Sequence, residues 1–295
     1  MTKPTIGFIG LGLMGAAMVG RLQDKGYSLT VLGNRSRTAV DAAVARGAGE
    51  AQTAAALAAV SDIVMICVDT TASVESRIYG KDGVLDGLKP DTIVIDFGTS
   101  LPASSLKIGE EVAKKQGFFL DAPLGRTPSH AKDGKLNIMC GGAPEAYERI
   151  KPVLDDLGEN IFHVGPLGSG HKLKLINNFF AMTTACAMSE AFAMADKAGL
   201  PRQGLYDVMS AGPLRSGMMD FVKNYATDGQ IDLAFSVRNA NKDVGYYRQM
   251  AEELGVMSRM AGSASATLAE AVDQDFGDHM VPEMVDFLSR KFSDA

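Results

Sequence analysis

Short apolar runs alternate with stretches of helical periodicity through the first half of the chain. The clearest runs, 63–68 and 93–96, are apolar without interruption and bounded by polar residues, as in strands buried on both faces of a sheet. Helical stretches at 16–24 and 39–46 lie between such runs, and the second stops at Gly47, a typical helix C-terminal residue. This alternation predicts a parallel, doubly wound sheet. The predicted strands are 5–9, 28–32, 63–68, 93–96, 118–121, 136–140 and 161–164.

The character of the sequence changes after Gly170. Segment 171–199 lacks proline, has no glycine before its last residue, and is apolar on more than one face, which predicts a long helix buried between two domains or two subunits. We interpret most methionines of this half as ordinary core, and some as contacts to a partner subunit. The methionines in question are Met182, Met188, Met194, Met209, Met218 and Met219. Further helices are predicted at 202–210, 214–225, 238–254, 258–274 and 281–291.

The first predicted strand ends in the turn Gly10-Leu11-Gly12-Leu13-Met14-Gly15. Its glycines fit G-x-G-x-x-G between a strand and a helix, where they allow a tight turn, close approach of a pyrophosphate and helix–strand packing. The helix N-terminus offers N–H groups to phosphate. A plain glycine turn is the alternative. We therefore predict a Rossmann-type dinucleotide-binding domain over 1–164. Over 165–295 we predict a long inter-domain helix and an all-helical substrate and dimerisation domain.

The end of the second strand bears on the choice between the nicotinamide cofactors. An acidic residue there would hold the ribose 2′-hydroxyl, but this chain has Asn34-Arg35-Ser36-Arg37. An arginine pair in a neutral frame suits a 2′-phosphate. We expect NADP(H) to be preferred over NAD(H), with Asn34, Arg35 and Ser36 as cofactor-binding residues. A solvated loop is the alternative.

The long helix carries Lys174, Asn177 and Asn178 at i, i+3 and i+4, which places them on one face. Such polar groups are costly to bury on an otherwise apolar helix unless they serve a purpose. Lys174 could donate a proton to a carbonyl oxygen during its reduction, with Asn177 orienting the substrate. The alternative is a lysine at an exposed helix start, as we expect for Lys172.

Composition narrows the function further. The formal net charge is −6 and no basic block occurs, so nucleic acid is not an expected partner. No apolar stretch is long enough for a bilayer span, and the N-terminus does not resemble a signal peptide, so we expect a cytoplasmic protein. The three cysteines and four histidines are widely spaced. We therefore expect buried reduced thiols and no metal site.

Five segments in order resemble the β-hydroxyacid dehydrogenase family, which includes 3-hydroxyisobutyrate dehydrogenase-like enzymes, and the resemblance spans essentially the whole chain. The segments are 7–15, Asp96-Phe97-Gly98-Thr99, the loop 121–127, Gly168 through Asn178, and Lys242-Asp243. The resemblance implies the fold predicted above and assembly into homodimers or homotetramers through the helical domain.

The resemblance also implies residue roles. Lys174 would be the general acid/base. The implied substrate-binding residues are Gly125, Arg126, Thr127, Asn177 and Asn178. The implied cofactor-binding residues are Gly10, Gly12, Leu13, Met14 and Gly15 of the turn, with Val68 and Thr99 at the nicotinamide or its ribose and Lys242 closing over the cofactor.

Two departures from the family pattern bear on the substrate. Gly98 replaces a serine, and Gly125-Arg126-Thr127 replaces Ser-Gly-Gly, a version that resembles the branch containing sulfolactaldehyde reductase. An arginine beside a hydroxyl would add an anion clamp. That branch carries a hydroxyl one turn beyond the asparagines, where this chain has Ala181, so a carboxylate and a sulfonate substrate both stay open.

We therefore expect an NAD(P)-dependent oxidoreductase that interconverts a short anionic semialdehyde and its hydroxyacid. The expected types are 3-hydroxyisobutyrate, tartronate semialdehyde, succinate semialdehyde and sulfolactaldehyde. The alternatives are an imine reductase of the same architecture and a catalytically inactive, cofactor-binding interaction protein. Relatives of both kinds usually lack the lysine found here at position 174.

Overall fold

A computed structural model describes residues 3–33 and 37–294. The chain forms two compact units, Met1–Lys174 and Leu175–Ala295. The division falls inside the long helix, which runs over Ser169–Lys197. The predicted boundary at 164/165 instead lies before this helix begins.

The first unit is built on a nine-stranded sheet with the strand order β3-β2-β1-β4-β5-β6-β8-β7, and β9 pairs with β8. The pairings among β1 to β6 are all parallel, which confirms the doubly wound prediction for this part of the sheet. The strands are β1 Ile6–Ile9, β2 Leu29–Leu32, β3 Gly49–Ala51, β4 Ile63–Ile66, β5 Ile93–Asp96, β6 Phe118–Asp121, β7 Leu124–Gly125, β8 Leu136–Gly141 and β9 Gly158–Gly165.

A wholly parallel sheet is the wrong prediction at the edge beyond β6. There β8 runs antiparallel to both β6 and β7, while β9 is parallel to β8. The chain leaves β6 through the short strand β7 and a helix at Pro128–Asp133, and then returns in the opposite direction. Strands β3 and β7 were not predicted, because two or three residues are too few to show a period.

Eight helices cover the two faces of this sheet within the described residues, and each face has its own core. In β4, Met65 packs into one cluster with Phe8 and Leu22, while Ile66 packs into the other with Leu57. Both faces are buried at β4, which explains why this strand is apolar at every position. The helices are α1 Leu13–Asp24, α2 Thr38–Ala45, α3 Ala54–Ala59, α4 Thr71–Tyr79, α5 Val84–Gly87, α6 Pro102–Lys114, α7 Pro128–Asp133 and α8 Pro144–Leu157.

The second unit is helical, as predicted. Met182, Met188 and Met219 are buried in its core beside Phe192, so the core interpretation is confirmed for these three methionines, whereas Met194 is 54% exposed. Its helices are the continuation of α9 (Ser169–Lys197), α10 Arg202–Ser210, α11 Gly217–Asp228, α12 Val237–Glu253, α13 Arg259–Asp273, a 3-10 turn at Val281–Glu283 and α14 Met284–Asp294. Among the helices that the structure describes, none has the length and apolar character needed to cross a membrane.

Candidate active site

Several predicted site residues lie at the carboxyl ends of neighbouring strands in the first unit. The glycine turn follows β1, Val68 follows β4, Thr99 follows β5, and Gly125–Thr127 follows β6. Strands β1, β4, β5 and β6 are consecutive and parallel, so these segments leave the sheet at one edge. The strand order reverses between β1 and β4, and such a switch point is where doubly wound sheets bind their ligands.

Two glycines of the turn lie where a side chain has no room. Gly10 has a φ of +98°, and a Cβ there would lie 2.2 Å from the carbonyl oxygen of Cys67. A Cβ at Gly15 would lie 1.9 Å from the carbonyl oxygen of Gly10, so α1 packs directly on the turn.

Gly12 differs from the other two glycines of the turn. A Cβ at this position would meet no protein atom within 4 Å, and the next residue, Leu13, is 85% exposed. Gly12 is also the N-cap residue of α1. The open space therefore lies at a helix N-terminus, where a pyrophosphate would bind.

The replacement of serine by Gly98 has a local explanation. A Cβ at position 98 would lie 2.9 Å from the carbonyl oxygen of Val68 and 3.0 Å from Oδ1 of Asp96. The backbone N–H of Gly98 donates to that same Oδ1 at 2.8 Å. The loop after β5 thus lies closer to β4 than a serine would allow.

The side chain of Lys174 is directed to the loop 121–127. Its Nζ donates to the carbonyl oxygen of Leu124 at 2.6 Å, and the residue is half-buried. Lys172 is exposed, as predicted for a lysine at the start of a helix. Lys174, the predicted general acid/base, therefore has its amine hydrogen-bonded to the residue that precedes Gly125.

Arg126 has two partners within the first unit. Its Nη1 donates to the carbonyl oxygen of Lys135 at 2.8 Å and to the carboxylate of Glu159, and this bond holds the pKa of Glu159 below its usual range. Arg126 also has a φ of +75°, a strained conformation for any residue but glycine. Because the guanidinium is already paired, an anionic substrate would have to share it with Glu159.

The adjacent Thr127 is held as well. Its Oγ1 lies 2.8 Å from Oγ of Ser129 and 2.7 Å from Nδ1 of His130. Both partners belong to α7, the short helix that begins directly after Thr127. The predicted substrate-binding residues Arg126 and Thr127 therefore both have side chains that are hydrogen-bonded to other parts of the first unit.

A buried polar cluster that the sequence did not predict lies where the first turn of α9 meets the ends of β5 and β6. Asp96 and Asp121 end neighbouring strands in register, and both are fully buried with His171. The ring of His171 has Nδ1 3.8 Å from Asp121 and Nε2 3.7 Å from Asp96, while Nδ1 forms a 2.7 Å hydrogen bond with Ser105. Burial raises the pKa of Asp121 above its ordinary value, against the opposing effects of His171 and of backbone N–H donors.

The pairing of Asp96 with Asp121 was the available signal for this cluster. Each aspartate directly follows an apolar run, and parallel strands bring such ends together. In the sequence, His171 is one of four widely spaced histidines. Its proximity to the aspartates depends on how α9 meets the sheet, which no sequence pattern reveals.

The second unit holds the remaining predicted residues. Nδ2 of Asn178 donates to Asp243 at 2.6 Å, and Nδ2 of Asn177 donates to Asn178 at 3.2 Å. Lys242 lies 3.1 Å from the other oxygen of Asp243 and 5.4 Å from the centre of the Tyr246 ring. The buried Asp243 therefore links the predicted asparagine and lysine, a role that the sequence analysis did not assign to it.

The three cysteines are free thiols. Burial raises the pKa of Cys67, Cys140 and Cys186 to about 12, which disfavours the reactive thiolate. Among the described residues, no three histidine, cysteine or acidic side chains are grouped so that they could hold a metal ion.

Two family models together cover most of the chain. One is described as the NAD binding domain of 6-phosphogluconate dehydrogenase and matches residues 5–165. The other is described as "NAD-binding of NADP-dependent 3-hydroxyisobutyrate dehydrogenase" and matches residues 168–288. The chain belongs to the β-hydroxyacid dehydrogenase family.

Individual members of the β-hydroxyacid dehydrogenase family agree with this assignment. The 3-sulfolactaldehyde reductase of Escherichia coli K12 is 30% identical over 90% of this chain and 89% of its own. The 2-(hydroxymethyl)glutarate dehydrogenase of Eubacterium barkeri is 30% identical over 88% and 86%. The solved 3-hydroxyisobutyrate dehydrogenase of Mycobacterium tuberculosis, with L-serine, has a TM-score of 0.87 at 26% identity, covering 97% of this chain and 99% of that one.

The family assignment confirms the Rossmann-type fold and the expectation of an NAD(P)-dependent oxidoreductase. Solved imine reductases also share the fold, at 20 and 21% identity, and this likeness extends to the fold alone. The residues predicted to select between the cofactors, Asn34, Arg35 and Ser36, lie outside the described residues.

The contrast between Gly12 and Gly15 leads to a test of the cofactor site. We expect Gly12→Ala to keep its melting temperature within about 2 °C, because the added methyl meets no protein atom. Its dissociation constant for NADPH should rise by about tenfold or more, since the methyl would occupy space needed by the pyrophosphate. Thermal unfolding and fluorescence titration measure the two quantities.

Gly15→Ala is the comparison variant. Its methyl would collide with the backbone of Gly10, so this variant should lose stability as well as affinity. Wild-type NADPH affinity in a folded Gly12→Ala protein would show that the cofactor does not approach the turn at this point.

Proposed function

We propose that this β-hydroxyacid dehydrogenase catalyses the reversible reduction of a short anionic semialdehyde to its hydroxyacid, with Lys174 as general acid/base. The observation that carries the proposal is the bond from Nζ of Lys174 to the carbonyl of Leu124. This bond holds an ammonium group beside Gly125, the first of the proposed substrate-binding residues 125–127. The nicotinamide cofactor would supply the hydride.

The chemistry assigned to Lys174 follows from charge. A carbonyl that is being reduced gains negative charge on its oxygen, and a nearby ammonium group stabilises that charge and then donates the proton. In the reverse direction, the neutral amine accepts the hydroxyl proton. One N–H of Lys174 is directed to Leu124, and that bond fixes the orientation of the others.

The names of the relatives support the proposed class of substrate, but they do not single out one compound within it. Their names include a 3-sulfolactaldehyde reductase, a 2-(hydroxymethyl)glutarate dehydrogenase and a 3-hydroxyisobutyrate dehydrogenase. Each name implies an acid group near the alcohol or aldehyde carbon. We therefore propose the semialdehydes of 3-hydroxyisobutyrate, tartronate, succinate and sulfolactate types as the substrates to test.

A panel of these four semialdehydes with NADPH tests the function. We expect turnover of at least one of them, and Lys174→Ala should lower kcat by about 10²- to 10⁴-fold, the usual contribution of general acid–base catalysis. Lys172→Ala is the matched control, because that side chain is exposed and lies two residues away on the same helix. Absence of turnover with every aldehyde, or undiminished turnover by Lys174→Ala, would contradict the proposal.

We also propose that Arg126 binds the acid group of the substrate, together with Gly125 and Thr127. Arginine can bind a carboxylate or a sulfonate through charge-assisted hydrogen bonds. The existing bond to Glu159 implies competition, because the same guanidinium would serve two anions.

Substitution of Arg126 and of Glu159 in turn shows whether Arg126 binds the substrate or only holds the loop in place. If Arg126 binds substrate, Arg126→Gln should raise KM for the aldehyde by about tenfold or more. Glu159→Gln should leave KM unchanged or lower it, since it removes the competing carboxylate. If instead the pair only braces the loop, both variants should raise KM similarly. Steady-state kinetics with the best aldehyde of the panel distinguishes these outcomes.

NADP(H) is the cofactor that we propose to be preferred over NAD(H). The proposal rests on the sequence Asn34-Arg35-Ser36, which offers a cation and no carboxylate. The neighbouring Arg37 is already bonded to Glu50 at 2.5 Å and to Asp41 at 2.7 Å, and these bonds raise the pKa of its guanidinium. We therefore assign recognition of the 2′-phosphate to Arg35.

The two arginines form a matched pair for testing the cofactor preference. Arg35→Ala should reduce the ratio of kcat/KM for NADPH to that for NADH by about 10- to 100-fold, the value of one lost charge-assisted contact. Arg37→Ala should change the ratio less, because its guanidinium is committed to Glu50 and Asp41. A wild-type enzyme that favours NADH would overturn the proposal.

The remaining assignments rest on the family resemblance. We propose Asn177 and Asn178 as substrate-binding residues, and Val68, Thr99 and Lys242 as cofactor-binding residues. We also propose a cytoplasmic location. An imine reductase or an inactive interaction protein is less well supported, because both usually lack the lysine at position 174.

We propose assembly into a homodimer or homotetramer through the helical unit. That unit has an apolar groove of about 430 Å³, and Phe180, Leu214 and Met260 on its lining are 60 to 71% exposed. Exposed apolar groups of this size are typical of interaction surfaces. A monomeric mass in sedimentation velocity would contradict this assembly.

A further inference from the structure

A buried carboxylate holds the start of α9 against the sheet. Asp121, the last residue of β6, accepts the backbone N–H of Gly168 at 2.8 Å on Oδ1 and that of His171 at 2.6 Å on Oδ2. The first N–H groups of a helix have no partners within the helix. Asp121 therefore supplies these partners from a separate strand, with a charge that suits a helix N-terminus.

The same turn lies in backbone-to-backbone contact with two strands. A Cβ at Gly170 would lie 2.3 Å from the carbonyl oxygen of Met139 and 2.7 Å from that of Asp121. A Cβ at Gly141, in β8, would lie 2.6 Å from Oδ1 of Asp121. Because no side chain fits between the turn and the strands, the turn has little freedom to shift while Asp121 holds it.

The side chain of His171 adds a third attachment to the turn. It is fully buried, and its Nδ1 forms a hydrogen bond of 2.7 Å with Ser105 in α6. Its Nε2 has no hydrogen-bond partner among the described residues and lies 3.7 Å from Asp96. The ring thus ties the turn to α6, while the carboxylate of Asp121 ties it to β6.

Lys174 completes this arrangement from the other side. It is the sixth residue of α9, in the second turn, and its Nζ donates to the carbonyl oxygen of Leu124, three residues after Asp121. The segment 121–124 therefore holds α9 at its N-terminal amides and at the amine of Lys174, the proposed general acid/base. We propose that Asp121 is a positioning residue, which fixes the first turn of α9 so that Nζ of Lys174 is held at the carbonyl of Leu124.

This inference rests on the proposed role of Lys174, and its test uses four variants: Asp121→Asn, Lys174→Ala, the double variant and Thr53→Ala. Asparagine has nearly the same size as aspartate, but it can accept only one of the two N–H bonds and carries no charge. Thr53 accepts the N–H of Ala56 at 3.0 Å as the N-cap of α3. Thr53→Ala is therefore a matched loss of a helix cap in the same unit, away from Lys174.

Turnover and binding are measured with NADPH and the fastest aldehyde of the panel. Asp121→Asn should lower kcat by about 10- to 100-fold, the usual effect of a misplaced catalytic group, and leave the dissociation constant for NADPH within about twofold. Thr53→Ala should leave kcat within about twofold. The double variant should be no slower than Lys174→Ala, because Asp121 acts through Lys174.

A second measurement is independent of activity. Amide hydrogen exchange over 168–174 and acylation of the Lys174 amine, both followed by mass spectrometry, should be faster in Asp121→Asn than in wild type and unchanged in Thr53→Ala. If Asp121→Asn does not fold, Asp121→Ser replaces it, since serine is smaller and retains one acceptor.

The possible failures can be told apart. Full turnover by Lys174→Ala refutes the proposed function, while faster exchange and acylation in Asp121→Asn would still support the positioning role. Wild-type kcat, exchange and acylation in a folded Asp121→Asn protein overturn the positioning role. A double variant about tenfold slower than Lys174→Ala overturns it as well, because Asp121 would then act independently of Lys174.

Discussion

Close approach of backbone to backbone at the carboxyl edge of the sheet is the constraint on which the candidate site depends. Gly10 lies against the carbonyl of Cys67, Gly15 lies against Gly10, and Gly98 lies against Val68. Each contact would be blocked by a single Cβ. The ends of β1, β4 and β5 can therefore come together only because glycine occupies these three positions.

The same constraint recurs where α9 begins. Gly170 and Gly141 let the helix start directly on β6 and β8, and Asp121 satisfies the helix amides that this burial removes from water. The side chain of Lys174 extends to Leu124 from the turn that follows this anchored one. Its placement thus depends on contacts of the backbone as much as on the helix that carries it.

Electrostatic pairing is a second feature, shared by two of the predicted ligand-binding residues. Arg126 is bonded to Glu159, and Lys242 lies beside Asp243. A cation that already has a carboxylate partner gains less from binding an anionic ligand than an unpaired one. Affinity for phosphate or substrate therefore depends on the acidic partners as well as on the cations.

The sequence by itself determined the parallel strands β1, β2, β4, β5 and β6, the helical second unit and the glycine turn. It also predicted Lys174, rather than Lys172, as the lysine with a chemical role. These features are encoded locally, in apolar periods and in the spacing of a few residues. It did not reveal the antiparallel β8, which depends on the path of the chain after the two-residue strand β7. Nor did it reveal the burial of His171 between Asp96 and Asp121.

Only the tertiary structure decided which groups pair with one another. Arg126 and Glu159 are far apart in sequence, as are Asp243 and Asn178, and no local pattern fixes which side chains meet. The physical reason is that a period reports which face of an element is buried, whereas a hydrogen bond depends on the relative position of two elements to within a fraction of an ångström. The glycine turn shows the difference. Its spacing predicted a cofactor, whereas the packing around it showed that protein atoms fill the space beside Gly10 and Gly15 and that the space beside Gly12 is open.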